Sequence, residues 1–85
     1  MNARKLLKRL SSSQTNVRFA DLMRLAIALG FMHDRTAGSH HILIHRQHQD
    51  AQLNLQPERG QAKPYQVRQL LRLVEEYNLS LDEND

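Results

Sequence analysis

Four of the five histidines, His40, His41, His45 and His48, fall within nine positions, directly after a Gly38-Ser39 pair. Imidazole titrates close to neutral pH, so such a cluster could move protons or hold a metal ion. The spacing bears on that choice. The run GSHHILIH, from Gly38 to His45, sets Ile42 and Ile44 against Leu43 and predicts a short buried strand entered through a tight glycine turn. Neighbours on a strand leave opposite faces, so His40 and His41 cannot meet at one ion. His41 and His45 share a face but stand about 13 Å apart at ~3.3 Å per residue, and only a sharp bend would bring them together. The chain has no cysteine, which excludes a thiolate metal site, a thiol nucleophile and a disulfide framework. No metal or cofactor is expected.

A single histidine acting on a phosphodiester needs less. Imidazole can accept a proton from an attacking oxygen, and imidazolium can return one to a leaving oxygen. Cationic neighbours then stabilise the developing charge. Arg35, on the first predicted strand, and Arg59 and Lys63, beside the last helix, could supply them. Pattern alone favours reading His40 as an ordinary polar residue at a strand start. Nor does it choose between imidazoles, since His40 shares a face with Ile42 and Ile44 while His41 shares one with Leu43 and His45.

The elements that must position these groups follow from periodicity. Asn2 to Leu10 predicts a short helix with Leu6, Leu7 and Leu10 on one face, and SSSQTN, from Ser11 to Asn16, a polar linker. Arg18 to Leu29 predicts a helix with Phe19, Leu22, Met23, Ala26 and Ile27 as its apolar face, widened by Leu25 and Leu29 and stopped by Gly30. Phe31 to Thr36 predicts a strand, Ala37-Gly38 a turn, and Ser39 to about Arg46 the second strand. A polar loop, Gln47 to Gln52, leads to a third strand, Leu53 to Gln56, closed by Pro57. After a loop from Glu58 to Ala62, Pro64 opens a helix with Val67, Leu70, Leu71, Val74 and Tyr77 on its inner face and Arg68 and Arg72 on an outer one. The expected architecture is α+β in the order α-α-β-β-β-α, with helices on one face of a small three-stranded antiparallel sheet. One domain spans 1–85, with 1–15 as N-terminal helix and linker and 79–85 as a frayed acidic tail.

Composition limits the function classes. A chain of 85 residues has little material for a deep cleft, so a shallow site is expected. The net charge of +3 is unevenly spread: all 12 Lys and Arg lie before residue 74 with only four acids, and the remaining five acids lie after it. A basic body with an acidic end suits a phosphate-binding surface. No stretch approaches the roughly 20 apolar residues of a membrane span, and the start lacks the pattern of a secretory signal. A soluble, cytoplasmic protein without membrane partners is expected.

The order of elements, Gly38-Ser39-His40 opening the second strand, and KPYQVRQLL, from Lys63 to Leu71, opening the last helix resemble the HicA family of bacterial toxins. The likeness runs from Asn16 to Leu79 through NVRFADL, GFMHDRTAGSHHI, LNLQ and GQAKPYQVRQLLRLVEEYNL. It implies a fold similar to the double-stranded RNA-binding domain and an endoribonuclease that cleaves mRNA without a metal. It also implies a HicB-type antitoxin covering the active surface, with room for a higher-order toxin-antitoxin assembly. The family's catalytic histidine, which follows Gly-Ser, corresponds to His40, while His41 matches a position of varied residue type. Arg35, Gly38, Ser39, Arg59, Lys63 and Arg68 are the expected RNA contacts. The chain departs from the family at His45-Arg46-Gln47, where many members have His-Pro and a tight turn. It departs again at Gln61, where many have a basic residue, which shifts the phosphate contacts towards Arg59 and Lys63. Two readings of other classes stay open: a non-catalytic RNA-binding module using the same face, and a helix-turn-helix DNA binder using Arg18 to Leu29.

Overall fold

The first and last helices start on residues suited to a first turn, Asn2 before the one and Pro64 in the other. The computed structural model describes residues 2–81. In α1 (Ala3–Ser12), the Asn2 side chain caps the first turn by accepting from the Lys5 N–H at 2.8 Å, and Ala3, Leu6 and Leu10 are buried. The helix runs two residues beyond its expected end at Leu10. Ser11 and Ser12 remain in the helix with their hydroxyls donating back to the Leu7 and Lys8 carbonyls, at 2.8 and 3.4 Å, and the Ser13 N–H closes the last turn on the Arg9 carbonyl at 3.0 Å. Helix α2 (Phe19–Ala28) buries Leu22, Leu25 and Ala26, with Leu29 just past its end also in the core. Ile27, expected on the apolar face, is instead half-exposed, so the buried stripe is rotated towards Leu25 and Leu29.

The sheet follows as β1 (Phe31–Ala37), β2 (His40–His45) and β3 (Gln52–Leu55), antiparallel with β2 in the centre. The hairpin turn is Gly38-Ser39, one residue later than expected, because Ala37 pairs with His40 across its mouth. Gly38 takes φ +63° while Ser39 does not enter the left-handed region, which is the pattern of a two-residue loop with glycine first. The third strand also begins and ends one residue before the predicted bounds. Ala51, within the stretch expected to be a polar loop, is fully buried, and its carbonyl accepts from the His45 N–H at 3.0 Å.

Helix α3 (Pro64–Glu76) has proline in its first turn and buries Gln66, Val67 and Leu70. Phe31, Leu43, Leu53 and Leu55 from the sheet meet Leu6, Leu10, Leu22, Leu25, Val67 and Leu70 from the helices in one core. The α-α-β-β-β-α order and the α+β architecture are those read from the sequence. Leu79, placed by sequence in the frayed end, is buried, and its N–H donates to the Val74 carbonyl at 2.9 Å. Leu81 packs against the same core, whereas 82–85 lie outside the described residues.

Candidate nucleic-acid site at the hairpin end

Pairing resolves which face each imidazole occupies. Leu43 and His45 are buried against the helices, which places His41 on that face and His40, with Ile42 and Ile44, on the opposite, open one. Alternation could not decide this, because both faces carry aliphatics. The open face continues onto β1 through Met32, which pairs with Ile44 and is largely exposed.

A bulge adds Arg35 to it. The β1–β2 register slips between His33 and Arg35, so that His33 stands opposite Leu43 while Arg35 stands opposite Ile42. One extra residue, Asp34, is absorbed there, and Arg35 moves onto the face of His40 rather than that of Phe31. Its guanidinium is paired with the neighbouring Asp34 carboxylate, an exposed contact of little energetic weight.

His40 is exposed, and its Nδ1 lies 2.9 Å from Oδ1 of Asn54 on β3. An amide oxygen only accepts, so Nδ1 carries the proton in the neutral ring and Nε2 presents a lone pair. Nε2 makes no hydrogen bond among the described residues. Asn54 was not among the residues singled out from sequence: it lies fourteen positions away, and only cross-strand pairing brings it beside the ring.

A polar chain runs from the turn to the last helix. The Gln56 side-chain amide donates to Ser39 Oγ at 2.7 Å, and Lys63 Nζ donates to Gln56 Oε1 at 3.5 Å. The Gln56 backbone N–H donates to Oε1 of the buried Gln66 at 3.3 Å, which holds this segment against α3. Lys63, flanking α3 at its start, is thereby linked to the hydroxyl next to His40. Around Gly38 the space is open, with nothing within 4 Å of where a Cβ would stand, so its role is conformational and the turn is accessible.

The other candidate contacts are dispersed. Arg59 adopts φ +54° in a turn closed by reciprocal backbone bonds between Glu58 and Gln61, at 2.9 and 3.0 Å. That turn is fastened to the start of α2 by the Phe19 N–H on the Gly60 carbonyl (2.9 Å) and the Ala62 N–H on the Val17 carbonyl (2.7 Å). Arg68 lies in the helical layer, lining a groove with Leu7, Ser11, Leu71 and Arg72, on the side of the sheet away from His40.

The remaining histidines are placed differently. His45 is 3% exposed, with Nε2 2.9 Å from the Leu29 carbonyl and Nδ1 accepting the Gln47 N–H at 3.1 Å. His48 lies between His45 and Tyr77 with ring centroids 5.1 and 5.2 Å away and planes tilted by 40° and 41°. Partial burial, with the Glu76 and Asp50 carboxylates, raises the Tyr77 phenol above its ordinary value. His41 and His33 are in ring contact at 5.9 Å, on the helix-side face of the hairpin. Among the described residues, no group of three or more metal-ligating side chains converges, and no helix is long and apolar enough to cross a membrane.

The family model described as HicA toxin of bacterial toxin-antitoxin matches residues 19–75, about two thirds of the chain. No curated protein and no solved structure gives a match. The matched span begins with α2 and ends within α3, so it takes in the whole sheet, the Gly38-Ser39 turn, His40, Asn54 and Lys63, and leaves out α1. With its sheet, its hairpin and two of its three helices inside that span, the chain belongs to the HicA family of toxins from bacterial toxin-antitoxin systems.

Proposed function

We propose that this toxin is an endoribonuclease that cleaves mRNA, with His40 as its general acid and base. The observation that carries the reading is the state of the His40 ring. It is exposed at the turn end of the hairpin and oriented by Asn54 through Nδ1, with Nε2 free to take a proton from an attacking oxygen. The same nitrogen, once protonated, can serve the leaving oxygen. Lys63, linked to the turn through Gln56 and Ser39, and Arg35, brought onto the His40 face by the bulge, are the cations that would grip the phosphate. Gly38 and the Ser39 hydroxyl form the accessible turn; Arg59 adds a cation on the loop before α3, whereas Arg68 lies on the helix side of the sheet, away from this surface. These proton transfers call on no metal ion.

Family membership implies an antitoxin, and a HicB-type protein is the partner proposed. Met32, Ile42 and Ile44 form an apolar strip on the face that carries His40, which suits a protein partner that blocks the site by covering it. A shallow site on a small domain is most simply inhibited in this way.

The test is His40→Ala, with cleavage of RNA and growth of bacteria expressing the chain as readouts. General acid and base catalysis contributes ~10²- to ~10⁴-fold, so cleavage should fall by that order and growth inhibition should disappear. Retention of RNA in a low-salt gel shift should persist. An equally active His40→Ala protein would refute the assignment. A wild-type chain that binds RNA but leaves it intact over hours would favour the non-catalytic RNA-binding module.

A further inference from the structure

Three rings from three elements stand in series at the hairpin end. Phe19 at the start of α2 and His41 on β2 have ring centroids 5.3 Å apart, and His41 and His33 on β1 are 5.9 Å apart, with tilted planes throughout. His41 lies where the buried row of β2 ends, beyond Leu43, and is only partly covered. Unlike His45, its ring nitrogens make no hydrogen bond among the described residues. His33 is exposed, with Nε2 2.8 Å from the Thr36 hydroxyl. Closing the core here would call only for an aliphatic side chain. The position instead carries a flat polar ring between two others, open at the His33 end.

We propose that Phe19, His41 and His33 form a subsite that stacks an unpaired RNA base flanking the linkage held at His40. The inference rests on the ribonuclease reading of His40 and names how the substrate is positioned there. His40 and His41 are consecutive and leave opposite faces of β2, at a tip where Thr36 to His40 are all exposed. A single strand drawn over that tip places its backbone at His40 and a neighbouring base against the rings. Exposed Arg18, next to Phe19, and Arg35 on β1 supply charge to the path. Every base has a π face, so the subsite favours unpaired RNA without demanding one sequence.

Binding can be separated from cleavage in a His40→Ala background, by fluorescence anisotropy of a labelled single-stranded RNA of mixed sequence at fixed low salt. Adding His41→Leu, which fills a similar volume without a π face, should weaken binding ~5- to ~100-fold, and His41→Phe should restore it to within about twofold. His33→Ala, at the exposed end of the row where a base can reach a ring face, should weaken binding at least ~5-fold while leaving the core untouched. With His40 present, His41→Leu should raise KM and leave kcat nearly unchanged. Unaltered affinity in His41→Leu and His33→Ala would overturn the proposal, as would equal losses in His41→Leu and His41→Phe, or no RNA binding by any of these proteins. If His40→Ala still cleaves, the ribonuclease assignment of His40 fails while the anisotropy comparison keeps its meaning.

Discussion

The two ends of β2 hold the same residue type in opposite environments. At the Arg46 end, His45 has both ring nitrogens committed to backbone groups, and Phe31 meets its ring edge-on at 5.2 Å. That imidazole behaves as a folded-in connector between the end of α2 and the loop after β2. At the turn end, His40 has one nitrogen tied and one open, and stands in solvent. Chemistry needs a nitrogen with a free lone pair and access to substrate, and only the turn end provides both. The sharpest way to break this contrast is to exchange the expected losses. His40→Ala should lose ~10²- to ~10⁴-fold in cleavage rate, with a melting temperature near that of the parent, since an exposed substitution away from packing costs within about 0.5 kcal/mol. Thermal melts beside single-turnover assays read both quantities.

His45→Ala should do the reverse. It strands the Leu29 carbonyl and the Gln47 N–H and empties a packed site, so a loss of about 3 kcal/mol in a urea titration is expected. At temperatures where the variant stays folded, its cleavage rate should be close to normal. A stable but inactive His45→Ala protein would put chemistry at the wrong end of the strand.

Gly30→Ala sharpens the same point from the other side of that contact. Gly30 sits at φ +105°, and a Cβ there would lie 2.5 Å from His45 Nε2, the atom bonded to the Leu29 carbonyl. Backbone strain and displacement of the ring together should cost about 2 kcal/mol, again with little change in cleavage at permissive temperature. Gly38→Ala meets no atom within 4 Å, so only its φ of +63° is at stake and the destabilisation should be smaller, about 1 kcal/mol.

How much of this could be read in advance depended on how local the cause was. The helix and strand order was legible because Leu6 and Leu10, Leu22 and Ala26, and Val67 and Leu70 repeat at helical spacing while Leu53 and Leu55 alternate. The burial of Ala51 and of Gln66 was not, because nothing in QHQDAQ or KPYQVRQ signals that Ala51 would enter the core or that Gln66 would be satisfied by the Gln56 backbone. Around the candidate site the same division holds. The Gly38 turn was legible within one residue from its type. The face of His40 was not, since both faces of β2 carry aliphatics, and neither was Asn54, which only β2–β3 pairing brings beside the ring.

Asn54 is therefore the residue on which the contrast can be tested most finely. It pairs with Ile42 across β2–β3 and is exposed, so Asn54→Ala should leave stability within about 0.5 kcal/mol of the parent. Losing Oδ1 frees the His40 ring to rotate and lets the proton move to Nε2, which removes the lone pair from the open side for part of the time. A fall of about tenfold in kcat with KM little changed is expected, far short of the loss in His40→Ala. Asn54→Asp keeps an acceptor at the same place and should recover most of the rate, whereas Asn54→Leu, of similar size without an acceptor, should not. If both variants were as active as the parent, His40 would need no orienting partner, and the turn end of β2 would differ from the His45 end in exposure alone.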